Sequence, residues 1–196
     1  MSKRSFDLLA AGAGLLLLAP LLLAVALWVR LDSRGPVLFR QVRIGRHGVP
    51  FEIYKFRTMT DRPYGARQLT VGQDPRVTRA GRFLRHYKLD ELPQLLNVLE
   101  GSMSLVGPRP EVPRYVACYP PAVRNTVLSV RPGVTDLAAI LYRDESAILG
   151  RAQDPERAYV DTILPVKLEY YQRYVRERSF WLDLRIIFRT LAAILR

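Results

Sequence analysis

Leu8 to Val29 is an uninterrupted run of 22 residues without a charged side chain. As a helix rising 1.5 Å per residue it would be about 33 Å long, enough to cross a hydrocarbon core of about 30 Å. Lys3 and Arg4 ahead of it, with Ala24-Val25-Ala26 inside it, also resemble a secretory leader and its cleavage site. The apolar stretch continues past that site through Leu27-Trp28-Val29 and so exceeds the ~7–15 residues of a leader's core. A retained membrane segment is therefore expected. Its flanks are positive at both ends, with Lys3 and Arg4 before it and Arg30, Arg34, Arg40, Arg43 and Arg46 after it. Positive flanks favour the cytoplasmic side, so a straight span leaves one end frustrated. Pro20, near the middle, removes a backbone donor and clashes with the carbonyl four residues back. Two geometries remain open: a Pro-kinked single span, and a re-entrant helix broken at Pro20 that enters and leaves by one face.

Beyond this segment the pattern changes to short elements. Val37-Leu38-Phe39 and Phe51 to Phe56 are β-prone, and Gly45-Arg46-His47-Gly48 between them predicts a hairpin. Asp61 to Asp74 is polar with Pro and Gly, a loop. Thr78 to Tyr87 predicts a helix on which Arg76, Arg79, Arg82 and Arg85 form a basic stripe, as a solvated face often does. Leu92 to Leu99 predicts a second helix, with Asp90 as its N-cap and Pro93 in its first turn. Gly107 to Pro121 carries five prolines and should be irregular, and Arg131-Pro132-Gly133 starts another turn. Asp154 to Arg178 looks helical apart from a break near Pro165. From Phe180 onward, Arg178, Arg185, Arg189 and Arg196 share one helical face, while Leu182, Ile186, Ile187, Leu191, Ile194 and Leu195 fill much of the rest. Such a helix suits a membrane surface, and equally a terminal helix packed on a core.

Composition narrows the partners. Apolar residues make up 49% of the 196-residue chain, which excludes a disordered basic tail. The single Cys118 excludes an internal disulfide and a Cys-based zinc cluster. The net charge is +12, with 26 Arg against four Lys. Guanidinium forks bind phosphate bidentately, although a GC-rich genome gives the same bias. The charge suits nucleic acid, or an anionic membrane and phosphorylated substrates. The apolar segment and the lack of a zinc-finger or RNP-like pattern argue against nucleic acid. Neither a P-loop nor a G-x-G-x-x-G is present, so no standard nucleotide fold is indicated.

Chemistry concentrates in the middle of the chain. Asp90 and Glu91 follow the Arg stripe, with Arg85 and Lys88 just upstream and Arg109 held between Pro108 and Pro110. Adjacent acids at a helix start usually only complement the dipole. Beside fixed cations, however, a carboxylate stays ionised and can bind Mg²⁺ or attack phosphorus. Lys55-Phe56-Arg57 is either a sheet-edge solubility device or a phosphate contact.

At these residues the sequence resembles the bacterial sugar transferases, the monotopic phosphoglycosyl transferases. The match runs through Lys55-Phe56-Arg57-Thr58-Met59, Leu89 to Leu99, Gly101 to Glu111, Arg131-Pro132-Gly133-Val134-Thr135 and Ser179 to Arg185, which together extend over nearly the whole chain. The resemblance implies an α+β, mainly helical fold: a re-entrant membrane helix broken at Pro20 (residues 1–31), then a cytosolic catalytic domain (32–196) with a small β-hairpin and surface amphipathic helices, ending in one over about 180–196. It implies transfer of a sugar-1-phosphate from a UDP-sugar to polyprenyl phosphate at the cytoplasmic face of a bacterial inner membrane. UMP is released, in the first membrane step of glycoconjugate synthesis. Asp90 would be the nucleophile that forms a phosphosugar–aspartyl intermediate, Glu91 would assist, and both would hold Mg²⁺. Lys55, Arg57, Arg85, Arg109, Gln94 and Asn97 would bind substrate. Membrane lipid is an implied partner, nucleic acid is not, and a homodimer is left open.

Three positions depart from the family's pattern. Ala19 stands where many members have Ser before the proline, Asp136-Leu137-Ala138-Ala139 where many have Gly-Leu-Ala-Gln, and Tyr171 where many have Asp, with Asp161 as a substitute nearby. Sugar specificity is expected in loops Asp61 to Asp74 and Asp136 to Arg151. The competing readings are a non-catalytic membrane adaptor held by anionic lipid, and a Mg²⁺-dependent hydrolase of a diphosphate lipid.

Overall fold

The computed structural model describes residues 3–60, 69, 71–72, 74–142 and 144–194. Its helices are α1 (Lys3–Asp32), α2 (Arg79–His86), α3 (Gln94–Glu100), α4 (Pro113–Val116), α5 (Pro121–Val127), α6 (Leu137–Leu141), α7 (Glu145–Leu149), α8 (Pro155–Ala158), α9 (Leu164–Glu177) and α10 (Phe180–Ile194). Strands β1 (Leu38–Ile44) and β2 (Pro50–Phe56) form an antiparallel hairpin, and β3 (Ser104–Val106) and β4 (Gly133–Thr135) a short parallel pair. The class is α+β and mainly helical.

The apolar segment is a 30-residue helix with Pro20 inside it, long and apolar enough to cross a membrane. One line of residues faces the rest of the chain: Asp7, Ala11, Val25 and Val29 are buried, while Leu16 and Leu17 are each 80% exposed. Both ends are fastened to the same body. At the start, Lys3 pairs with Asp183 at 2.5 Å, Arg4 donates to the Leu99 and Met103 carbonyls, and Asp7 accepts from Ser104 Oγ at 2.7 Å. At the end, the Arg57 guanidinium donates to the carbonyls of Val29, Ser33 and Arg34, occupying backbone acceptors that a helix terminus leaves unpaired.

The hairpin is longer than its β-prone runs, with Leu38 paired to Phe56 and Ile44 to Pro50. Cross-strand pairing carries β1 through polar Gln41 and Arg43, which the apolar pattern had left out of the strand. Its turn puts His47 and Gly48 at positive φ, 60° and 79°. Thr78 caps α2 as its position suggests, Oγ1 accepting from the Gly81 N–H at 2.9 Å. Gly81 lies so close to Thr58 that a Cβ would meet the Thr58 carbonyl oxygen at 2.1 Å. The break before Pro165 is a π-helical turn, Tyr159–Ile163, and Pro165 itself sits in the first turn of α9.

Two expectations need correction. Asp90 caps no helix. It lies in a 3₁₀ turn, Leu89–Glu91, and α3 begins at Gln94 behind Pro93, which carries no side-chain cap. The stretch from Asp136 to Arg151, expected as a loop, holds α7 and, before it, α6, which Asp136 caps by accepting at Oδ1 from the N–H groups of Ala138 and Ala139; Arg143 within it lies outside the described residues. In the Asp61 to Asp74 loop, residues 61–68, 70 and 73 also lie outside them.

The largest core cluster gathers Tyr115, Tyr119, Val127, Tyr159, Leu164 and Tyr171 between α4, α5 and α9. α10 combines the two roles open to it. Ile186 packs with Val106 and Tyr174, and Asp183 accepts from Tyr174, while Trp181, Phe188 and Leu191 are 75%, 66% and 52% exposed. Leu195 and Arg196, expected on this helix, lie outside the described residues.

Candidate active site

The site forms where the 3₁₀ turn carrying Asp90 and Glu91 meets the end of β2 and the loop after β3. Lys88, at the left-handed φ of 55°, turns the chain out of α2 and into that turn. Lys55 reaches Glu91 from β2, Nζ to Oε1 at 2.8 Å. Arg109 grips the same carboxylate with both nitrogens, Nη1 to Oε2 at 3.0 Å and Nη2 to Oε1. Arg109 is aimed there by a close backbone crossing: a Cβ on Gly133 would lie 2.1 Å from the Gly107 nitrogen, and one on Gly107 2.5 Å from the Arg131 carbonyl oxygen. Only glycine allows β3 and β4 to approach so closely. Gly107 N–H then donates to Thr135 and Gly133 N–H to Pro108, which fixes the Pro108-Arg109-Pro110 loop. Arg85 is held by Thr58, Nε to Oγ1 at 2.8 Å.

The two acids differ in their surroundings. Asp90 is 7% exposed and its Oδ1 has no hydrogen-bond partner. Burial, and then the neighbouring Glu91 charge, push its carboxyl above the usual range, although Lys55, Arg85 and Lys88 pull the other way. For Glu91, burial acts upward but is outweighed by Arg109 and Lys55, which hold the carboxyl well below its ordinary value. Burial in turn lowers Lys55 and Arg85, while contact with Glu91 overcomes the desolvation of Arg109 and raises it. Glu91 is thus a fixed anion that organises two cations. Asp90 is a desolvated carboxyl whose Oδ1 has no hydrogen-bond partner.

Both acids open on a cavity of about 1350 Å³, also lined by Arg43, Lys55, Arg82, Arg85, Lys88 and Arg109. It exceeds the roughly 300–1000 Å³ of a common small-molecule site. Its cations suit phosphate groups. One wall is a second polar network that the sequence did not single out. Tyr159 donates to Glu111 at 2.5 Å, and Lys167 pairs with Glu145 at 2.5 Å and lies near Glu111 at 3.8 Å. Arg43 completes it, 3.7 Å from Glu111. Tyr159, Lys167 and Glu145 lie outside every quoted motif, and the network joins residues far apart in the sequence, as Arg43 and Glu111 are.

Lys55, Arg85, Arg109, Asp90 and Glu91 are therefore brought together as expected. Arg57 borders the same cavity, whereas Asn97 and Gln94 do not. The Arg57 guanidinium is committed to the end of α1. Asn97 stitches α3 to β2, its amide donating to the Glu52 carbonyl and accepting from Tyr54 N–H. Gln94 is fully buried behind the turn, and its amide atoms have no partner. Two of the departures meet in space. Tyr171 is buried beside Asp136, whose carboxylate caps α6 and feels Arg109, so a carboxylate is present there from another element. Asp161 does not supply it, being paired to Arg157 at the surface.

For Mg²⁺, one or two carboxylates plus substrate phosphate oxygens form the usual set. Asp90 Oδ1 is unpartnered and Glu91 Oε2 accepts from Arg109 alone, so the pair fits such a set. Among the described residues no group of three or more His, Cys, Asp or Glu forms an all-protein metal cage.

Comparison with known proteins identifies the family. A UDP-N-acetylgalactosamine-undecaprenyl-phosphate N-acetylgalactosaminephosphotransferase of Aeromonas hydrophila is 39% identical over 98% of this chain and 43% of its own length. A UDP-glucose:undecaprenyl-phosphate glucose-1-phosphate transferase of Klebsiella pneumoniae is 40% identical over 96% of the chain and 39% of its own length. A protein of that same name from Caulobacter vibrioides is 40% identical over the whole chain and 70% of its own length. The chain thus spans about two-fifths of the first two of these relatives. The family model for bacterial sugar transferases matches residues 1–196, and the chain belongs to that family.

Proposed function

We propose that the chain transfers a sugar-1-phosphate from a UDP-sugar to undecaprenyl or a related polyprenyl phosphate and releases UMP. The observation that carries this reading is the contrast within the acid pair: Glu91 is bound by Lys55 and Arg109, while Asp90, on the same cation-lined cavity, has a buried Oδ1 without a hydrogen-bond partner. The relatives' names, with a UDP-sugar on one side and undecaprenyl phosphate on the other, support the substrates.

A carboxylate oxygen of Asp90 attacks the β-phosphorus of the donor. A carboxylate–phosphorus bond forms as the bond from that phosphorus to the bridging oxygen breaks, and UMP leaves with that oxygen and its electron pair. An oxygen of the lipid phosphate then attacks the same phosphorus, yielding a polyprenyl diphosphate sugar and restoring the Asp90 carboxylate. Arg85, Lys88 and Arg109 stand where charge on the phosphoryl oxygens is to be balanced. Mg²⁺ held by Asp90 and Glu91 would neutralise diphosphate charge when bound.

The helix α1 would enter and leave the membrane by the cytoplasmic face, a view supported by the attachment of both its ends to one body and by positive residues at both ends. UMP release is to be measured across a panel of UDP-sugars with and without polyprenyl phosphate. The wild type should release about one equivalent without acceptor and turn over with it. Asp90→Asn should fall below about a thousandth of the wild-type rate. Sustained turnover without acceptor would identify a hydrolase, and no release from any UDP-sugar an adaptor.

A further inference from the structure

The cavity has lining of two kinds, charged and apolar, and the helices that supply part of the apolar lining also carry exposed apolar residues. Leu92, at the end of the 3₁₀ turn, and Leu95, on α3, line it two and five residues past Asp90; Ala193 and Ile194 line it from the end of α10, beside Thr190. The last turn of α10 is held next to the catalytic loop, since Thr190 and Thr135 hydroxyls are 2.7 Å apart and Thr135 accepts from Gly107 N–H, two residues before Arg109. The same two helices carry exposed Leu96, Leu99, Phe188 and Leu191 on their outer surface. Leu95 also touches α1, near Gly14, whereas the Arg-bearing α2 packs on Val25 and Val29 of that helix. Eleven residues of helix separate those two contacts, about 16 Å.

We propose that the gap between α3 and the last turn of α10 seats the first isoprene units of the acceptor, so that the lipid reaches Asp90 from the α10 side. This rests on the transferase reading above. The occupant is a branched hydrocarbon chain ending in a phosphate. The walls lead from exposed apolar surface to buried cations within two helical turns, and only such an amphiphile matches both ends. A nucleotide has no apolar segment for Leu92, Leu95 and Ile194, and the cation-lined side toward α2, with Arg82 and Arg85, matches its charge.

The test uses Ala193→Trp, which fills the gap, and Ile194→Glu, which charges it, each compared with wild type in detergent. KM for undecaprenyl phosphate should rise about tenfold in both, the loss of contact with roughly two methylenes. KM for the UDP-sugar and retention of methyl phosphate, which carries the acceptor's phosphate without an isoprene unit, should move less than about twofold. Retention of labelled undecaprenyl phosphate against labelled methyl phosphate reads the same difference without turnover. Equal shifts for the lipid and methyl phosphates, a matching shift for the donor, or no shift would overturn the proposal. Wild-type protein that releases no UMP would overturn the transferase reading instead, and the retention measurement would still decide this one.

Discussion

Glu91 keeps its charge in a buried place because Lys55 and Arg109 both reach it, and each of those cations stays charged there because Glu91 is present. Replacing it removes the partner of two desolvated cations at once. Glu91→Gln is expected to lower stability by about 3 kcal/mol, measured by chemical unfolding in detergent. Its activity should fall as well, since Arg109 loses the bidentate grip that aims it. A variant as stable as wild type would show that the cations find another partner. At this scale the sequence revealed residue types but not directions. Asp90, Glu91, Lys55 and Arg109 were legible because they cluster in motifs. Asn97 lies in the same motifs and was read as a substrate contact, yet its side chain is turned to β2, while Arg57 borders the cavity and also ties down the end of α1. A motif records that a residue type is required, and a structural tie requires it as strictly as a ligand does.

Among the elements, α6 depends on a single charged cap. Asp136 is buried, its Oδ1 takes two backbone N–H groups, and its Oδ2 has no partner. Burial raises its pKa to about 6, against the opposing pull of those N–H groups and of Arg109. An unfolded aspartate titrates near 3.9. The folded state therefore holds the proton more tightly, and this group opposes folding above pH 6 and ceases to as pH falls toward 4. Asparagine caps a helix about as well as aspartate and carries no charge. Asp136→Asn is thus expected to stabilise the protein at pH 7.5 by about 1–3 kcal/mol, and the gain should vanish near pH 4. A gain independent of pH would contradict this account of the cap. The hairpin, the helix α2 and the break before Pro165 were all readable, since each follows from local pattern. The supposed cap at Asp90 was not borne out: a 3₁₀ turn intervenes before Pro93, and the carboxylate is turned to the cavity.

For the whole molecule, the decisive feature is the course of α1 along one face of the domain. Lys3, Arg4 and Asp7 fasten its start to α10 and to the chain around β3, while Val25, Val29 and the Arg57 fork fasten its end to α2 and β2. Length and hydropathy could not show this, because the contacts join residues up to 180 positions apart. With Cys118 changed to Ser, single cysteines placed at Ser5 and at Arg34 should both react with an impermeant maleimide from the cytoplasmic side only. Labelling of position 5 from the opposite side would establish a single span.

The central claim is that one cavity serves donor and acceptor in turn, with Asp90 carrying the phosphosugar between them. Intact mass after incubation with a competent UDP-sugar tests it most directly. The wild type should gain one phosphosugar per chain, located at Asp90 by peptide mapping and discharged on adding polyprenyl phosphate; Asp90→Asn should gain none. An unmodified wild-type mass during active turnover, or an adduct that persists in Asp90→Asn, would contradict it.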